Sequence, residues 1–428
     1  MPLGGQRLQG GRAHVIGAGL AGLAAATRLA RAGVHVRLYE AAQAAGGRCR
    51  SYDDAELGCR VDNGNHLVVS GNAAVMAYVN ETQAGATFDT QDVAAFPFLD
   101  LKSGERWSVR PTEGALPLWM FRKDRRVAGS RPWDYLQALK LRSAPESATV
   151  GQVLPKSSIL YDRLWRPLTV AALNTHPDEA SANLLWTLFL ETFGRGGAGL
   201  HALLPIHGLS ESLVDPALRL LTKRGGEVSF GHRLRSLSIV DGSVAQLDFA
   251  AKGQVDVAAD EPVVLAVTAP VATDLLPGLT APTEFRGIVN AHYRIEPPRG
   301  VGATKHPPFI GVVGGTAEWI FVKPGHVSVT ISAAEHLIDR SGEELAQEIW
   351  RDVAKALDLP LAPMPPARVV KEKRATFAAT PEQLRRRPGP VTQHHNLFLA
   401  GDWTDTGWPS TIEGAIRSGF AAASAILN

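Results

Sequence analysis

Residues 14–17 form a short apolar run that stops at glycine, and an Ala/Leu-rich stretch over 20–31 follows at once. The first reads as a buried strand, the second as a helix, and 34–39 as another strand. The chain therefore opens with a strand–helix–strand unit of a parallel sheet. Between 48 and 69 the alternations are short and predict a connector that crosses this unit. From 71 to 209 the character changes. Residues 96–101, 107–110 and 116–119 read as short extended pieces, whereas 133–141 and 157–193 carry apolar residues three or four apart and read as helical. Strand-and-turn patterns return over 225–267, with Asp241-Gly242 as a hairpin turn, and 263–270 reads as a buried strand. Strands then alternate with one amphipathic helix, 342–357, and 397–427 reads as strand, glycine-rich loop and helix.

This order predicts an α/β fold: a Rossmann-like dinucleotide-binding domain with a parallel sheet, plus an α+β substrate domain formed by two insertions. The first is expected over 11–70, 210–282 and 391–428, the second over 71–209 and 283–390. Sequential independent domains would leave the terminal strand and helix without a partner.

Composition narrows the function classes. The 428 residues, enough for two cores, carry 44 basic and 42 acidic side chains, net +2, so nothing in the overall charge points to nucleic acid. Cys49 and Cys59 lack metal-ligand spacing and read as reduced thiols of a cytosolic enzyme, with no metal site. The first ten residues lack the apolar stretch of a signal peptide. No uninterrupted apolar run is long enough to span a bilayer, which predicts a cytoplasmic protein, with peripheral attachment to the inner face of the cell membrane left open. HExxH and GxxxxGK[ST] are both absent, which argues against zinc-dependent and ATP hydrolysis.

Chemistry enters at Gly17, Gly19 and Gly22, a GxGxxG between strand and helix. The first glycine allows the tight turn, the second lets a pyrophosphate approach the backbone, and the third lets the helix pack on the strand. Leu20 and Ala21, in the first helical turn, present backbone N–H groups to the phosphates. Glu40 closes the second strand, where a carboxylate can accept from a ribose hydroxyl. Gly46-Gly47-Arg48 offers a second close backbone passage, with Arg48 as a charge-assisted donor to pyrophosphate. A plain nicotinamide enzyme has no need of this second clamp. Far downstream, Gly401-Asp402 ends a strand, with Asp402 aimed at a ribityl hydroxyl. Trp408 and the helix start Thr411, Ile412, Glu413 and Gly414 are expected beside the isoalloxazine ring. Gly64 completes the expected contacts, and the cofactor read from the whole set is FAD.

Those motifs, together with Asp62-Asn-Gly-Asn-His66, resemble the amine-oxidase-like and carotenoid-desaturase-like flavoproteins. The peptides DNGNHLVVSGN, LWRPLTVAALNT and AGDWTDTGWPSTIEGAIRSG are most similar to the hydroxysqualene dehydroxylase family, also described as squalene-associated FAD-dependent desaturases. The similarity spans nearly the whole chain. It implies a reductive dehydroxylation of hydroxysqualene to squalene, part of hopanoid synthesis, with hydride from reduced flavin and loss of water. A carotenoid (phytoene-type) desaturase or an amine oxidase, running the flavin the other way, is the rival enzyme. A non-catalytic isoprenoid carrier is the rival of another class.

Dehydroxylation needs a donor for the departing hydroxyl and electron-rich, dry surroundings for developing positive charge. His66 is the first candidate donor, matching the family pattern, and a structural hydrogen bond is its plainer role. Asp62 orients His66 or caps the following turn. Asp405 and Glu413 are candidate acids if buried, although Glu413 also fits as a first-turn residue of its own helix. Trp403 and Trp408 wall the ring or simply pack. Trp165, Asn174 and Thr175 are expected near the pocket.

The substrate implied is a long apolar isoprenoid. The cluster Leu184, Leu185, Trp186, Leu188, Phe189, Leu190 and Phe193 reads as core with a partly exposed entrance patch. Phe96, Phe98, Leu116 and Trp119, bordered by Arg122, Lys123, Arg125 and Arg126, are the other candidates, and a membrane surface is an expected partner. Electrons are expected from an external reductant or reductase, since no second nicotinamide fingerprint exists. Oligomeric state leaves no readable mark.

Overall fold

A computed structural model describes residues 10–296 and 307–428; the leader expectation for the first ten residues falls, except for Gly10, outside the described residues. Five strands form a parallel sheet in the order Glu227–Phe230, His35–Glu40, Arg12–Ile16, Val263–Leu265, Leu397–Leu399. The central strands are apolar throughout because both of their faces are covered. On one side lie the helices Leu20–Arg31 and Ile412–Leu427, which meet backbone to backbone: a Cβ on Gly419 would lie 2.1 Å from the Ala21 carbonyl oxygen. On the other side packs an antiparallel meander, Ser236–Val240, Ser243–Asp248 and Gln254–Asp256. Asp241 and Gly242 turn its first hairpin with φ of +48° and +76°, the two left-handed residues that a tight hairpin demands.

The two insertions close into one seven-stranded sheet. Its order is Ala367–Phe377, Phe285–Tyr293, His326–Ile331, Trp319–Lys323, Phe309–Val313, Phe96–Asp100, Arg106–Val109. The single parallel pair, Phe309–Val313 with Phe96–Asp100, is the seam between the insertions. One face carries Val289, Ala291, Tyr293, Ile320, Val322, Val327, Val329 and Ile331. It is covered by the helix Gly342–Leu357, through Leu345, Ile349, Trp350 and Val353. Ser341 caps that helix, accepting from Glu344 N–H, and Glu343 and Glu344 sit in its first turn where they suit the dipole. The opposite face, described below, is where the site lies.

Several expectations changed on folding. The connector 48–69 contains a hairpin, Ser51–Asp54 with Cys59–Asp62; its two cysteines are free thiols, in line with the sequence. Residues 118–121 form a 3₁₀ turn after Pro117 rather than an extended piece. The expected helix over 133–141 is a 3₁₀ helix, Pro132–Ser143. The stretch 157–193 is not one helix. Arg166–Leu173 ends at Asn174, which is left-handed with φ +47°, and Ala182–Glu191 starts afresh with Ser181 as its cap. The helix Ala73–Glu81, beyond the boundary expected at 70, packs into the same core as the helices of the parallel sheet.

Candidate active site

The parallel sheet places its functional residues by one rule: loops leaving the carboxyl ends of its strands gather on one edge. Gly17 follows the first strand with φ +105°, and a Cβ there would lie 2.4 Å from the Ala266 carbonyl oxygen. On Gly22 a Cβ would lie 1.9 Å from the Gly17 carbonyl oxygen. Gly19 differs, because a Cβ there would meet nothing within 4 Å, so the space beside it belongs to no protein atom. The helix Leu20–Arg31 begins at Gly19 with no side-chain cap and no acidic residue in its first turn. Its leading N–H groups are therefore open to an anion, as a pyrophosphate requires. Leu20 and Ala21 have buried side chains, so only their backbone is available for this role.

Glu40 does more than sequence reasoning assigned it. Its two carboxylate oxygens accept from Ala18 N–H and Ala42 N–H, each at 2.8 Å, so it braces the glycine turn while keeping lone pairs for a ribose hydroxyl. Gly46 and Gly47 adopt φ of +105° and +56°, and Gly46 N–H donates to the Ala18 carbonyl at 2.8 Å. The two glycine turns are thereby docked on each other through a Gly19–Gly46 bridge. Arg48 donates to Asp402 at 2.6 Å and also to the Ala375 carbonyl. Burial alone would raise the Asp402 carboxyl, but Arg48, together with the Ser410 hydroxyl, more than offsets it and holds it below the ordinary carboxylate value. Gly401, whose N–H donates to Ser418 Oγ at 2.9 Å, sets Asp402 at the same sheet edge as Glu40. These groups fit an extended flavin dinucleotide.

The C-terminal helix brings corrections. Thr411 caps it, accepting from Gly414 N–H at 3.1 Å, and Ile412 is buried behind that turn. Glu413 is not a free acid. It is 2% exposed and accepts from Ala74 N–H at 3.0 Å, Val75 N–H at 2.9 Å and Arg417 at 2.6 Å. It caps a different helix, Ala73–Glu81, rather than complementing its own. Asp405 is exposed rather than buried and closes a local turn by accepting from Gly407 N–H. Trp408 is buried under the Arg417 guanidinium, 4.4 Å from the ring centroid, and Trp403 donates to the Val267 carbonyl from within the core. Packing accounts for both.

Asn174 and Thr175 form a clasp rather than a pocket wall. Asn174 accepts from Ala333 N–H at 2.6 Å and donates to Thr376 Oγ1 at 2.9 Å, while Thr175 accepts from Ala379 N–H at 2.9 Å. Trp165 is core.

The other face of the seven-stranded sheet, also buried, has two halves. Phe98, Phe309, Trp319 and Phe321 make an aromatic half, with Phe98 edge-on to Trp319 at 5.4 Å and Phe309 6.0 Å from Phe321. Asn290, His292, Ser328 and Thr330 make a polar half, and the connector residues 62–65 lie on it. Asn65 donates to Ser328 at 2.7 Å, Ser328 and His292 share a hydrogen bond of 2.7 Å, and Asn290 donates to the carbonyl of Asn63, beside Gly64. Where the halves meet is a cavity of about 180 Å³ lined by His66, Asp62, Lys323, Phe321, Leu204 and Leu209, among others.

Lys323 was not foreseen from sequence. It donates to Asp62 at 2.7 Å, and Asp62 also accepts from Ser51 Oγ at 2.6 Å and Leu209 N–H at 2.9 Å. Burial would raise Asp62, but Lys323 and these donors hold it below the ordinary value, so Asp62 is an anion and not an acid. His66 makes no hydrogen bond to any described residue, and its ring lines the cavity. Burial is the largest influence on it and pushes it down to about 4, so the ring is neutral at pH 7 and donates from one N–H only.

At the far end of the Lys323 strand, burial pushes Glu318 up to about 7, against the Ser332 N–H it accepts from and the pull of Arg166. Because this value lies above the ordinary 4.5, the folded chain keeps a proton that the unfolded chain loses. The associated stability is full below pH 4.5 and is lost as pH rises through 7. Glu318→Gln is therefore expected to leave the melting temperature at pH 5 nearly unchanged and to raise it at pH 8, a gain on the order of 1–3 kcal/mol. Equal shifts at both pH values in scanning calorimetry would remove Glu318 as the titrating group.

Comparison with known proteins follows the same lines. A family model described as flavin containing amine oxidoreductase matches residues 20–427. Hydroxysqualene dehydroxylase of Rhodopseudomonas palustris is 48% identical over 414 residues, covering 97% of this chain and 98% of that protein. Its counterpart in Sinorhizobium fredii is 48% identical over 417 residues, with the same coverage of 97% and 98%. Among solved structures, an oxidoreductase from Methanosarcina mazei superposes with a TM-score of 0.71 at 15% identity, over 96% of this chain and 100% of that one, which concerns the fold alone.

Proposed function

The chain belongs to the flavin containing amine oxidoreductases, and within them to the hydroxysqualene dehydroxylases, with FAD as its cofactor; from that membership we propose that it reduces hydroxysqualene to squalene. The substrate carbon gains hydride, the C–O bond breaks, and the oxygen leaves as water after taking one proton. When bound, reduced FAD supplies the hydride and ends oxidised. The helix start after Gly19 and the passage at Gly47 would hold its pyrophosphate, Glu40 its ribose, and Arg48 with Asp402 the polar chain that follows. The division into a dinucleotide unit and a substrate unit is part of this proposal.

One observation carries the reading: a cavity with an apolar wall that includes Leu204, Leu209 and Phe321, and whose basic groups are His66 and Lys323. A hydrocarbon with one hydroxyl needs that division. The neutral His66 N–H and the Lys323 amino group hydrogen-bond the departing oxygen, and Asp62 keeps Lys323 oriented. The aromatic half of the sheet stabilises positive charge on the allylic carbons and keeps water out. An ordinary ligand pocket measures roughly 300–1,000 Å³. The cavity of about 180 Å³ therefore takes the hydroxylated end.

Anaerobic mixing of the photoreduced holoprotein with hydroxysqualene tests this. The visible flavin band should return, with one squalene formed per flavin. If the band stays bleached with hydroxysqualene, while oxidised protein is bleached by a phytoene-type hydrocarbon or an amine, the dehydroxylase reading is wrong. Regeneration of reduced flavin requires an external reductant.

A further inference from the structure

The helix Pro132–Ser143 is 3₁₀ over twelve residues, well beyond the usual three or four. At three residues per turn its side chains stack in three ridges. Tyr135, Ala138 and Leu141 form a buried ridge, and Asp134, Gln137, Lys140 and Ser143 a polar one. The third ridge is exposed and apolar at Trp133, Leu136 and Leu139 before it ends on Arg142, with Trp133 61% accessible. The i, i+3 spacing thus spends one ridge on the core and turns a second apolar ridge outward, which a core-forming helix has no reason to do. The neighbouring turn adds Leu116, Leu118 and Phe121, the last 68% accessible. It is fixed to the helix by the buried contact of Trp119 with Tyr135, ring centroids 5.0 Å apart.

Charge says what covers this face. Residues 116–142 hold seven basic and two acidic side chains, net +5 in a chain whose total is +2, so the rest of the molecule is net acidic. Arg122, Lys123 and Arg131 are exposed among the apolar residues, and Arg125 and Arg126 are partly so. Exposed aromatic and aliphatic side chains ringed by cations match a bilayer interface with anionic headgroups. A second copy of this chain would bring an equally basic face against it. The same core that carries the ridge also contains Phe98 and, at its margin, Trp319, which belong to the aromatic half of the site.

We infer that residues 116–142 are a membrane-docking face: Trp133, Leu136, Leu139 and Phe121 enter the interface of an anionic bilayer, and the basic residues hold its headgroups. The inference rests on the isoprenoid substrate proposed above, since a long isoprenoid alcohol partitions into lipid and has to enter from it.

Flotation of the holoprotein with vesicles tests it. Binding is expected to vesicles of phosphatidylcholine with phosphatidylglycerol, at least tenfold tighter than to phosphatidylcholine alone, and to weaken with salt. Trp133→Ser with Leu136→Ser and Leu139→Ser should weaken binding at least tenfold while flavin content and turnover of detergent-dispersed hydroxysqualene stay unchanged. Arg122→Glu with Lys123→Glu should abolish the preference for the anionic lipid. Equal binding by wild type and the triple variant overturns the proposal. So does a wild-type dimer, seen by sedimentation equilibrium, that the triple variant dissociates. Detergent turnover is read separately: its failure in the wild type removes the substrate assignment, while vesicle binding alone decides the docking face.

Discussion

Gly19→Ala is expected to give a protein that folds normally but purifies colourless, whereas Gly22→Ala is expected to fail at folding itself. The two glycines are three residues apart in one turn, yet their surroundings are opposite. A methyl on Gly22 would sit 1.9 Å from the Gly17 carbonyl oxygen and 3.2 Å from Ala266 Cβ. Neither the turn nor the neighbouring strand has room to retreat. Overpacking of this kind costs about 1–3 kcal/mol and more when backbone must move. At Gly19 the methyl meets no protein atom within 4 Å, and φ of −71° suits any residue. The loss in apoprotein stability should stay under about 1 kcal/mol, mostly the poorer cap that alanine makes. What the methyl does occupy is the approach of the pyrophosphate to the helix start, so flavin affinity should fall by at least a hundredfold. The visible-to-ultraviolet absorbance ratio of the purified protein reads the first effect, and urea unfolding of the apoprotein reads the second. A Gly19→Ala protein that keeps one flavin per chain would falsify the placement of the dinucleotide.

The second large effect is expected at Asp62. Asp62→Ala removes the partner of Lys323 and the acceptor of Ser51 and Leu209 together. Breaking a buried pair typically costs 3–5 kcal/mol. Lys323 keeps 25% of its side chain accessible, which lowers the figure to roughly 2–4 kcal/mol. Acid should make the loss worse. Burial is the largest influence on His66, His292 and His326 and pushes them down to about 4, 3 and 4, and Asp62 is the anion that partly opposes it in all three. A histidine held below its ordinary 6.5 binds fewer protons folded than unfolded, so stability is full above that pH and falls as pH drops toward 4. With Asp62 gone these rings are depressed further, so the decline, which is the same for both proteins down to about pH 5, continues to lower pH in the variant. Asp62→Asn retains much of the hydrogen bonding to Ser51 and Leu209, should recover part of the loss at pH 8 and at pH 5 alike, and should diverge from wild type only near pH 4 and below. Denaturant midpoints of the three proteins from pH 8 down to about pH 3 decide it. Parallel pH curves for wild type and Asp62→Asn would mean that Asp62 does not hold the histidine cluster.

What the sequence revealed divides along physical lines. The dinucleotide edge was legible because its parts are local: Gly17, Gly19 and Gly22 serve one turn, and Glu40 ends the adjacent strand. The joining of the chain's distant parts was legible because the strand Leu397–Leu399 needs neighbours. Lys323 was not, since its partner Asp62 is 261 positions away and one lysine ending an apolar strand looks like a strand terminus. A signal was nevertheless present. Asn290 and His292 alternate with Val289, Ala291 and Tyr293, and Ser328 and Thr330 with Val327, Val329 and Ile331. Polar residues repeating at period two in strands this apolar mark a wet face inside the protein. Glu413 was misread for a related reason: a carboxylate in the first turn suits its own dipole, and only the packing of Ala73–Glu81 across it reveals the other helix. The ridge at 133, 136 and 139 misled differently, because a three-residue spacing is common to α and 3₁₀ patterns, and only the latter keeps it in register for twelve residues.

The interlock of Gly419 with Ala21 has a consequence for biosynthesis. Translation runs from the amino end, so the glycine turn is made before the helix that seals it, Ile412–Leu427, has been synthesised. Until that helix emerges, the first helix has an uncovered apolar flank and Arg48 lacks Asp402. Nascent chains should thus depend on a chaperone until that helix has emerged, and the prosthetic group can be captured only afterwards.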